Sequence, residues 1–397
     1  MVDLSRKQGW AEQIPPDELK MFLGGRGLNA RVLYADLEEG IDPLGDENVI
    51  CFGAGLLTGT PAPSSGRYNV SALSPATGFF GDANSGGFWG PELKFAGFDQ
   101  VVVRGRSRTP VYLFINNDQI SVRDAGHLWG KDVWEAERAL KAETGDSGIQ
   151  IAGIGPAGEN LVPFAAVINN LARAAGRTGM GAVMGAKKLK AVVVRGTRGV
   201  GVFDLKRLQK VSASLFKEMQ KANSWGLRST QGTAMLIELY NAMGVLPTNN
   251  TRLSFFKKAA DINGRKLMNL YAVKPKSCFG CPVHCSHYYK VNEGEFAGTA
   301  GEGPEFETMC VFGSRCGNDN LPSILKLNNL CNQYGLDTIS AGAVVSYAME
   351  CYEKGLITAS DTDGLELDWG NYRAIIELVR KIAYREGFGS LLALGVE

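Results

Sequence analysis

Two patterns of apolar residues divide this chain. In its first half, short β-type segments alternate with glycine-rich runs. V-V-V-R (Val101 to Arg104) precedes a glycine, V-Y-L-F-I (111–115) and I-S-V-R (120–123) flank the polar turn N-N-D-Q, and Ile149 to Ile154 and A-V-V-V-R (Ala191 to Arg195) read as further strands. From Asp204 the period changes. Asp204 stands where a helix N-cap belongs, and Leu205, Leu208, Val211, Leu215 and Met219 follow at helical spacing. Tyr372, Ile375, Ile376, Val379, Ile382 and Ala383 repeat that spacing near the end. The pattern predicts an α+β protein, with a strand-rich N-terminal domain over 1–203 and a mostly α-helical domain over 204–397. After G-F-G-S (387–390) a new apolar segment, L-L-A-L, begins shortly before Glu397. A helix that short is marginal alone, so the helical domain is expected to be C-terminally truncated.

Composition narrows the function. Fifty of 397 residues are glycine, and many fall in runs such as G-G-R-G-L (24–28), N-S-G-G-F-W-G (84–90) and A-A-G-R-T-G-M-G-A-V-M-G (174–185), where the missing Cβ lets backbone approach a ligand or another strand. A net charge of +1 leaves no global field for nucleic acid, and no uninterrupted apolar run is long enough to suggest a membrane span. The opening V-D-L-S-R-K carries no basic-then-apolar signal pattern, and eight cysteines are too few for a disulfide scaffold, so a reducing, cytoplasmic location is expected.

Three of those cysteines crowd into K-S-C-F-G-C-P-V-H-C-S-H (276–287), where Cys278, Cys281 and Cys285 follow a C-x2-C-x3-C spacing. Zinc commonly takes two C-x2-C pairs, or one with a His pair, and the second pair is missing here although His284 and His287 are neighbours. A 4Fe-4S cluster needs four thiolates, often three in one loop and a distant fourth. The spacing fits the iron-sulfur reading better and leaves zinc as the alternative. Just beyond, E-G-P-E-F-E-T (302–308) brings Glu302, Glu305 and Glu307. A carboxylate held in a poorly hydrated pocket near a redox centre moves protons at neutral pH; the plain alternative is a solvated acidic loop.

Two motifs mislead. G-I-G-P-A-G (153–158) matches a dinucleotide fingerprint, yet Pro163 lies where its helix should run and no acidic residue occurs between Glu159 and Asp204. G-A-V-M-G-A-K-K (181–188) is one residue short of a phosphate loop and lacks its Ser or Thr. The acid-free stretch 160–203 nevertheless carries Arg173, Arg177, Lys187, Lys188, Lys190, Arg195 and Arg198 among glycines. That combination predicts contacts to cofactor phosphates, against the plainer reading of a solvated basic face.

Taken together, F-L-G-G-R-G-L (22–28), L-T-G-T-P-A-P (57–63), G-R-Y-N-V (66–70), S-P-A-T-G-F (74–79), A-N-S-G-G-F-W-G-P-E-L-K-F-A-G-F-D (83–99), I-G-P-A-G-E-N-L-V (154–162), R-A-A-G-R-T-G-M-G-A-V-M-G (173–185), the cysteine knot, E-G-P-E-F-E-T and Y-G-L-D-T-I-S (334–340) resemble the aldehyde ferredoxin oxidoreductase family. The resemblance covers nearly the whole chain. It implies a strand-rich base on which two pterins chelate tungsten, or molybdenum, with helical domains closing over it. It places Arg67 between pterin and cluster, and gives the backbone carbonyls of Asn84 and Ala174 to a magnesium bridging the pterin phosphates. Gly86, Arg173, Gly176 and Arg177 would line the pterins. Cys278, Cys281 and Cys285 would hold three irons of a 4Fe-4S cluster, and Glu307 would be the carboxylate near the metal. Asn332 and Asp337 occupy the first pterin motif, here N-Q-Y-G-L-D.

Departures accompany the likeness. Asn332 replaces the family's Asp, and K-L-N-N (Lys326 to Asn329) stands where some members carry an E-x-x-H metal motif at a dimer interface, so that metal is not expected. Family members continue beyond Glu397 into a region supplying the fourth cluster cysteine, a second pterin motif and a histidine, so the fourth thiol is expected outside this sequence or in a later cysteine. The implied function is an anaerobic tungstopterin enzyme that oxidises an aldehyde to a carboxylic acid and passes electrons to ferredoxin. It would work as a homodimer or with a second chain completing the C-terminal part. The alternatives are a low-potential reductase subunit of the aromatic acyl-CoA type, an inactive truncated paralogue, or a zinc-stabilised binding module.

Overall fold

A computed structural model describes residues 1–396. The chain forms two compact units. One comprises Met1–Glu218 with Cys278–Pro282 and Gln333–Leu336; the other comprises Met219–Ser277, Val283–Asn332 and Asp337–Glu397. The fold is α+β.

The first unit contains two six-stranded sheets. In one, Gln100–Arg104 pairs in parallel with Val2–Asp3 and antiparallel with Ile50–Ala54, after which Tyr68–Leu73 and Phe80–Ser85 extend the sheet to its edge. In the other, Arg173–Ala175 forms one edge, followed by Val167–Asn169, Gln150–Gly153, Leu189–Arg195, Val111–Asn116 and Gln119–Asp124. The N-N-D-Q hairpin forms as its sequence predicts: Asn116 pairs with Gln119, and Asn117 adopts φ 50°, the left-handed conformation such a two-residue loop demands. Both sheets contribute to one core, in which Phe52, Val70 and Trp89 join Leu113, Val192 and Met184. Trp89 packs with its ring centre 4.5 Å from that of Tyr68, the planes inclined at 42°, and donates its indole N–H to the Val192 carbonyl at 2.9 Å. Burying about 200 Å² of indole contributes roughly 5 kcal/mol, and the hydrogen bond removes the cost of its polar edge.

The dinucleotide-like motif folds as its context requires. Gln150–Gly153 is antiparallel to both neighbours and is followed by only a four-residue helix, Pro156–Glu159. A β-carbon on Gly158 would lie 2.8 Å from the Gly181 carbonyl, so this glycine serves close backbone packing.

The phosphate reading of 160–203 is corrected at most of its cations. Lys187, 1% exposed, donates to the Gly105 and Asp46 carbonyls at 2.9 and 3.3 Å. Lys190 is buried against Glu159 and the Lys131 carbonyl. Arg195 pairs with Glu92 and Asp146, Arg198 with Asp118, and Lys188 lies over the Trp129 ring. A lysine's apolar stem lets sequence place it inside when carbonyls await its ammonium, which composition does not reveal. Gly181 and Gly185 sit in the buried helix Met180–Ala186, where a Cβ would meet backbone at 2.7 and 1.8 Å.

Asp204 caps the helix Leu205–Gln220 as expected, its Oδ1 accepting from Arg207 N at 2.9 Å. In the second unit, helices dominate, but Cys285 leads into an unforeseen antiparallel sheet of Ala272–Lys276, Ser286–Lys290 and Ala300–Glu302. Buried Tyr289 fastens that sheet to the helix Leu321–Tyr334, its hydroxyl 2.7 Å from Asn329 Oδ1 and accepting from Asn328 Nδ2 at 3.0 Å. The asparagines of K-L-N-N thus hold the sheet. The helix Tyr372–Tyr384 buries Ile375, Leu378, Val379 and Ile382 on one stripe. The short final helix Phe388–Leu392 packs on it: a β-carbon on Gly389 would lie 2.4 Å from Lys381 backbone. Among the described residues no helix is long and apolar enough to cross a membrane.

Candidate cofactor-binding site

In the first unit the predicted residues gather where the two sheets end. Phe80–Ser85, which carries Asn84, is the edge strand of one sheet; Arg173–Ala175 is the edge strand of the other, and the two edges are neighbours. An edge strand leaves a row of N–H and C=O groups outside the ladder, available to a ligand. Asn84 and Ala174 are both exposed on these edges, as are the side chains of Arg67 and Arg177.

A hydrogen-bonded chain crosses this surface. Arg67 Nη1 donates to Asn84 Oδ1 at 2.5 Å, Asn84 Nδ2 donates to Asn69 Oδ1 at 3.1 Å, and Asn69 Nδ2 donates to Asp82 Oδ1 at 2.7 Å. Arg26 closes the chain on Asp82 Oδ2 at 2.5 Å. Asn69 and Arg26 belong to motifs that sequence reading singled out, but without roles; strand alternation alone does not reveal that they meet.

Beside it, the loop Cys278–Pro282 lies on the turn that follows Asn84. Phe279 N donates to the Gly87 carbonyl at 3.1 Å, Ser64 N donates to the Gly280 carbonyl at 2.8 Å, and Ser64 Oγ lies 3.4 Å from Cys281 Sγ. A β-carbon on Gly86 would fall 2.6 Å from Cys278 Sγ. Phe279 packs edge-on against Phe88 and Phe95, with centroids 6.4 and 5.8 Å away. Cys278 and Cys281 are therefore presented by a loop pinned through its backbone, leaving both thiols half-buried.

The turn is held from behind by two asparagines that sequence reading missed. Asn169 Oδ1 accepts from Tyr68 Oη at 2.9 Å and Ser85 Oγ at 2.8 Å, while Asn169 Nδ2 donates to the Gly86 carbonyl at 3.0 Å. Asn170 Oδ1 accepts from Phe88 N at 2.8 Å. The only signal in sequence is the N-N pair of I-N-N-L, which reads as a turn. Burial holds the Tyr68 phenol well above its ordinary pKa, so it remains a donor to Asn169.

Arg177, Thr178 and Gly179 follow with φ of 61°, 48° and 74°. Three successive left-handed residues, two of them with side chains, are strained backbone of the kind that gathers at ligand sites. A β-carbon on Gly179 would sit 2.0 Å from the Pro163 carbonyl, so glycine is required there.

The second unit holds the remaining predicted residues. Cys285 is half-buried at the entry to Ser286–Lys290, and a β-carbon on Gly232 would lie 2.0 Å from its carbonyl oxygen. Glu307 is exposed on the first turn of the helix Phe306–Phe312. The poorly hydrated pocket considered for this acid is not formed around it here. Thr233 fixes the start of that helix, accepting from Phe306 N at 2.8 Å and donating to Glu305 Oε2 at 2.5 Å. Asn332 is buried and donates to the Asn328 carbonyl at 3.0 Å. Asp337 is also buried, where it caps the helix Thr338–Glu353 by accepting from Ser340 N at 2.8 Å.

No disulfide is formed among the described residues. Among the described residues no three His, Cys, Asp or Glu side chains form a closed cage for a metal ion. Burial raises the pKa of Cys310 and Cys331, and lifts that of Cys316 to about 12, which disfavours the thiolate a metal requires. Cys278 and Cys281, with their glycine-cleared wall and backbone-pinned loop, have the chemistry of a thiolate donor set; Cys310, Cys316 and Cys331 do not.

Residues 1–196 match the N-terminal domain, and residues 210–397 match domains 2 and 3, of the aldehyde ferredoxin oxidoreductase family. The chain is 42% identical over 396 residues to a tungsten-containing aldehyde ferredoxin oxidoreductase of Thermococcus kodakarensis, covering 99% of this chain and 65% of that protein. It is 44% identical over 381 residues to the enzyme of the same description from Pyrococcus horikoshii, covering 95% of this chain and 62% of the other. The active site complex BamBC of benzoyl coenzyme A reductase, solved with 1,5-dienoyl-CoA, superposes with a TM-score of 0.88 at 32% identity, covering 99% of this chain and 61% of that one. The chain thus spans somewhat less than two thirds of the length of these relatives.

Proposed function

As the chain belongs to the aldehyde ferredoxin oxidoreductase family, we propose that it forms the cofactor-binding part of an enzyme converting an aldehyde and water into a carboxylic acid, two protons and two electrons, the electrons leaving to ferredoxin. The observation that carries this reading is the seating of the Cys278–Pro282 loop on the Gly86–Gly87 turn, directly after the edge strand of Asn84. When bound, the tungstopterin supplies the two-electron chemistry and a 4Fe-4S cluster relays electrons singly.

The chain's own residues have distinct tasks in this proposal. Cys278, Cys281 and Cys285 would hold three irons of the cluster. Arg67, fixed by Asn84, would stand between pterin and cluster, and the backbone carbonyls of Asn84 and Ala174 would be offered to a magnesium ion. Gly86, Arg173, Gly176 and Arg177 would line the pterins, and Asn332 and Asp337 would hydrogen-bond a pterin. Glu307 accepts the proton released as water adds to the aldehyde carbon. The pterin-binding domain is 1–203 and the helical domain 204–397. The protein works in a reducing cytoplasm, either as a homodimer or with a second chain.

Anaerobic purification followed by analysis for tungsten, molybdenum, iron and zinc, with a pterin assay, tests this. Tungsten or molybdenum with about four irons, and aldehyde-dependent reduction of a low-potential dye, are expected. Zinc without iron or pterin would overturn the proposal. The fit to the benzoyl coenzyme A reductase complex favours a second reading, in which electrons run toward an aromatic thioester; dye-driven reduction without aldehyde oxidation would select it.

A further inference from the structure

In the first unit, segment 60–66 is pressed backbone to backbone on the Cys278–Pro282 loop. A β-carbon on Gly66 would lie 3.1 Å from both Phe279 N and Phe279 O, and one on Gly280 would lie 2.9 Å from Ser65 Oγ. The segment is also held from its own side, where Ser65 Oγ donates to the Thr60 carbonyl at 2.8 Å and Gly59 N donates to the Ser65 carbonyl at 3.0 Å. Ser64 N then donates to the Gly280 carbonyl at 2.8 Å. These bonds fix the segment without help from the Ser64 side chain. Yet Ser64 adopts φ 60°, a left-handed conformation that a residue with a β-carbon enters only at a cost. That conformation carries its hydroxyl to the cysteine, and Ser64 Oγ donates to Cys281 Sγ at 3.4 Å. Strained backbone of this kind gathers at functional sites, and what it delivers here is an O–H on a sulfur.

We propose that the Ser64 hydroxyl tunes the iron-sulfur cluster bound through Cys281, raising its reduction potential by a hydrogen bond to the ligating sulfur. The proposal rests on the reading of Cys281 as a cluster ligand. When a cluster takes up one electron, no bond forms or breaks, the serine keeps its proton, and negative charge grows on the thiolate sulfurs. A donor aimed at one of them binds more strongly in the reduced state, so reduction becomes more favourable. Groups just outside a metal's ligand set commonly tune it in this way. A water taking the place of the hydroxyl would first have to be ordered there, whereas the backbone already holds Ser64 in position. Alanine at position 64 keeps the left-handed strain and loses the donor, and glycine loses both. This position therefore separates the hydroxyl from the shape of the loop.

A redox titration of the full chain, with dithionite supplying the electron through mediator dyes and electron paramagnetic resonance reading the reduced cluster, tests this. At the potential where the wild-type cluster is half reduced, Ser64→Ala and Ser64→Gly are each expected to lower the ratio of reduced to oxidised cluster about threefold or more, which is roughly 28 mV at 59 mV per tenfold for one electron. Electron-nuclear double resonance of the reduced wild type is expected to show an exchangeable-proton coupling that both variants lose. Ser64 is exposed, so neither change disturbs the core, and glycine, which also relieves the backbone, carries the test if alanine lowers the iron content. Unchanged potentials, or the full wild-type set of proton couplings in both variants, would overturn the assignment. A shift with alanine but not with glycine would place the effect in the loop's shape and overturn it as well. A wild-type chain that holds no cluster would overturn this inference together with the proposed function, so the two failures are told apart.

Discussion

Gly86 and Cys278 approach so closely that a single added carbon would separate them: a β-carbon on Gly86 would lie 2.6 Å from the Cys278 sulfur. Gly86 does not adopt a left-handed φ, so its backbone tolerates alanine and only the contact with the thiol forbids it. Gly86→Ala is therefore expected to displace Cys278, at an overpacking cost of about 1–3 kcal/mol. Iron per chain after anaerobic purification should fall at least twofold while the far-UV circular dichroism spectrum stays unchanged. Full iron content in the variant would show that Cys278 is not a cluster ligand.

Asn169 satisfies three groups behind that turn, so its loss should be felt as stability. Asn169→Leu strands the Tyr68 and Ser85 hydroxyls and the Gly86 carbonyl, at a cost of roughly 2–4 kcal/mol. For a unit of this size that corresponds to a melting point lower by about 5–10 °C in differential scanning calorimetry.

Burial lowers the pKa of Lys187 to about 8 from 10.5, and the sign of the pH dependence follows. Between these values the unfolded chain holds a proton that the folded chain has released, so stability rises with pH across that window. Below about pH 8 the lysine is charged in both states and contributes no slope. Relative to Lys187→Met, the wild type should therefore gain up to about 3 kcal/mol between pH 8 and 10.5, read from urea denaturation at several pH values. A flat difference would mean that the lysine is not buried as a charge.

Glu307 is exposed, so its replacement should leave the fold intact and act on turnover alone. With the reconstituted enzyme, Glu307→Gln is expected to lower kcat for aldehyde oxidation about 100-fold or more, with a melting point within about 1 °C of wild type. Activity within threefold of wild type would remove Glu307 from the proton path.

The line between what residues announce and what folding decides is clear in particular places. The N-N-D-Q hairpin, the Asp204 cap and the stripe of Tyr372–Tyr384 were legible because each depends on neighbours within a few positions. The cysteine spacing and the glycine-rich motifs were legible because the chemistry they serve constrains adjacent residues. The three-stranded sheet that Cys285 leads into was not, since A-V-K-P-K carries a proline and little apolar alternation and is a strand only through its pairing with Ser286–Lys290.

Local order thus made the α+β division, the closely spaced cysteines and the false dinucleotide motif readable from the residues alone. Tertiary structure decided which charges turn inward, as Lys187 and Lys190 do, and which asparagines meet, as Asn169 meets the turn of Gly86 over a separation of 83 residues. Such partners are joined by burial and by the need to pair every buried donor and acceptor, and that demand acts across the folded unit, where position along the chain carries no signal.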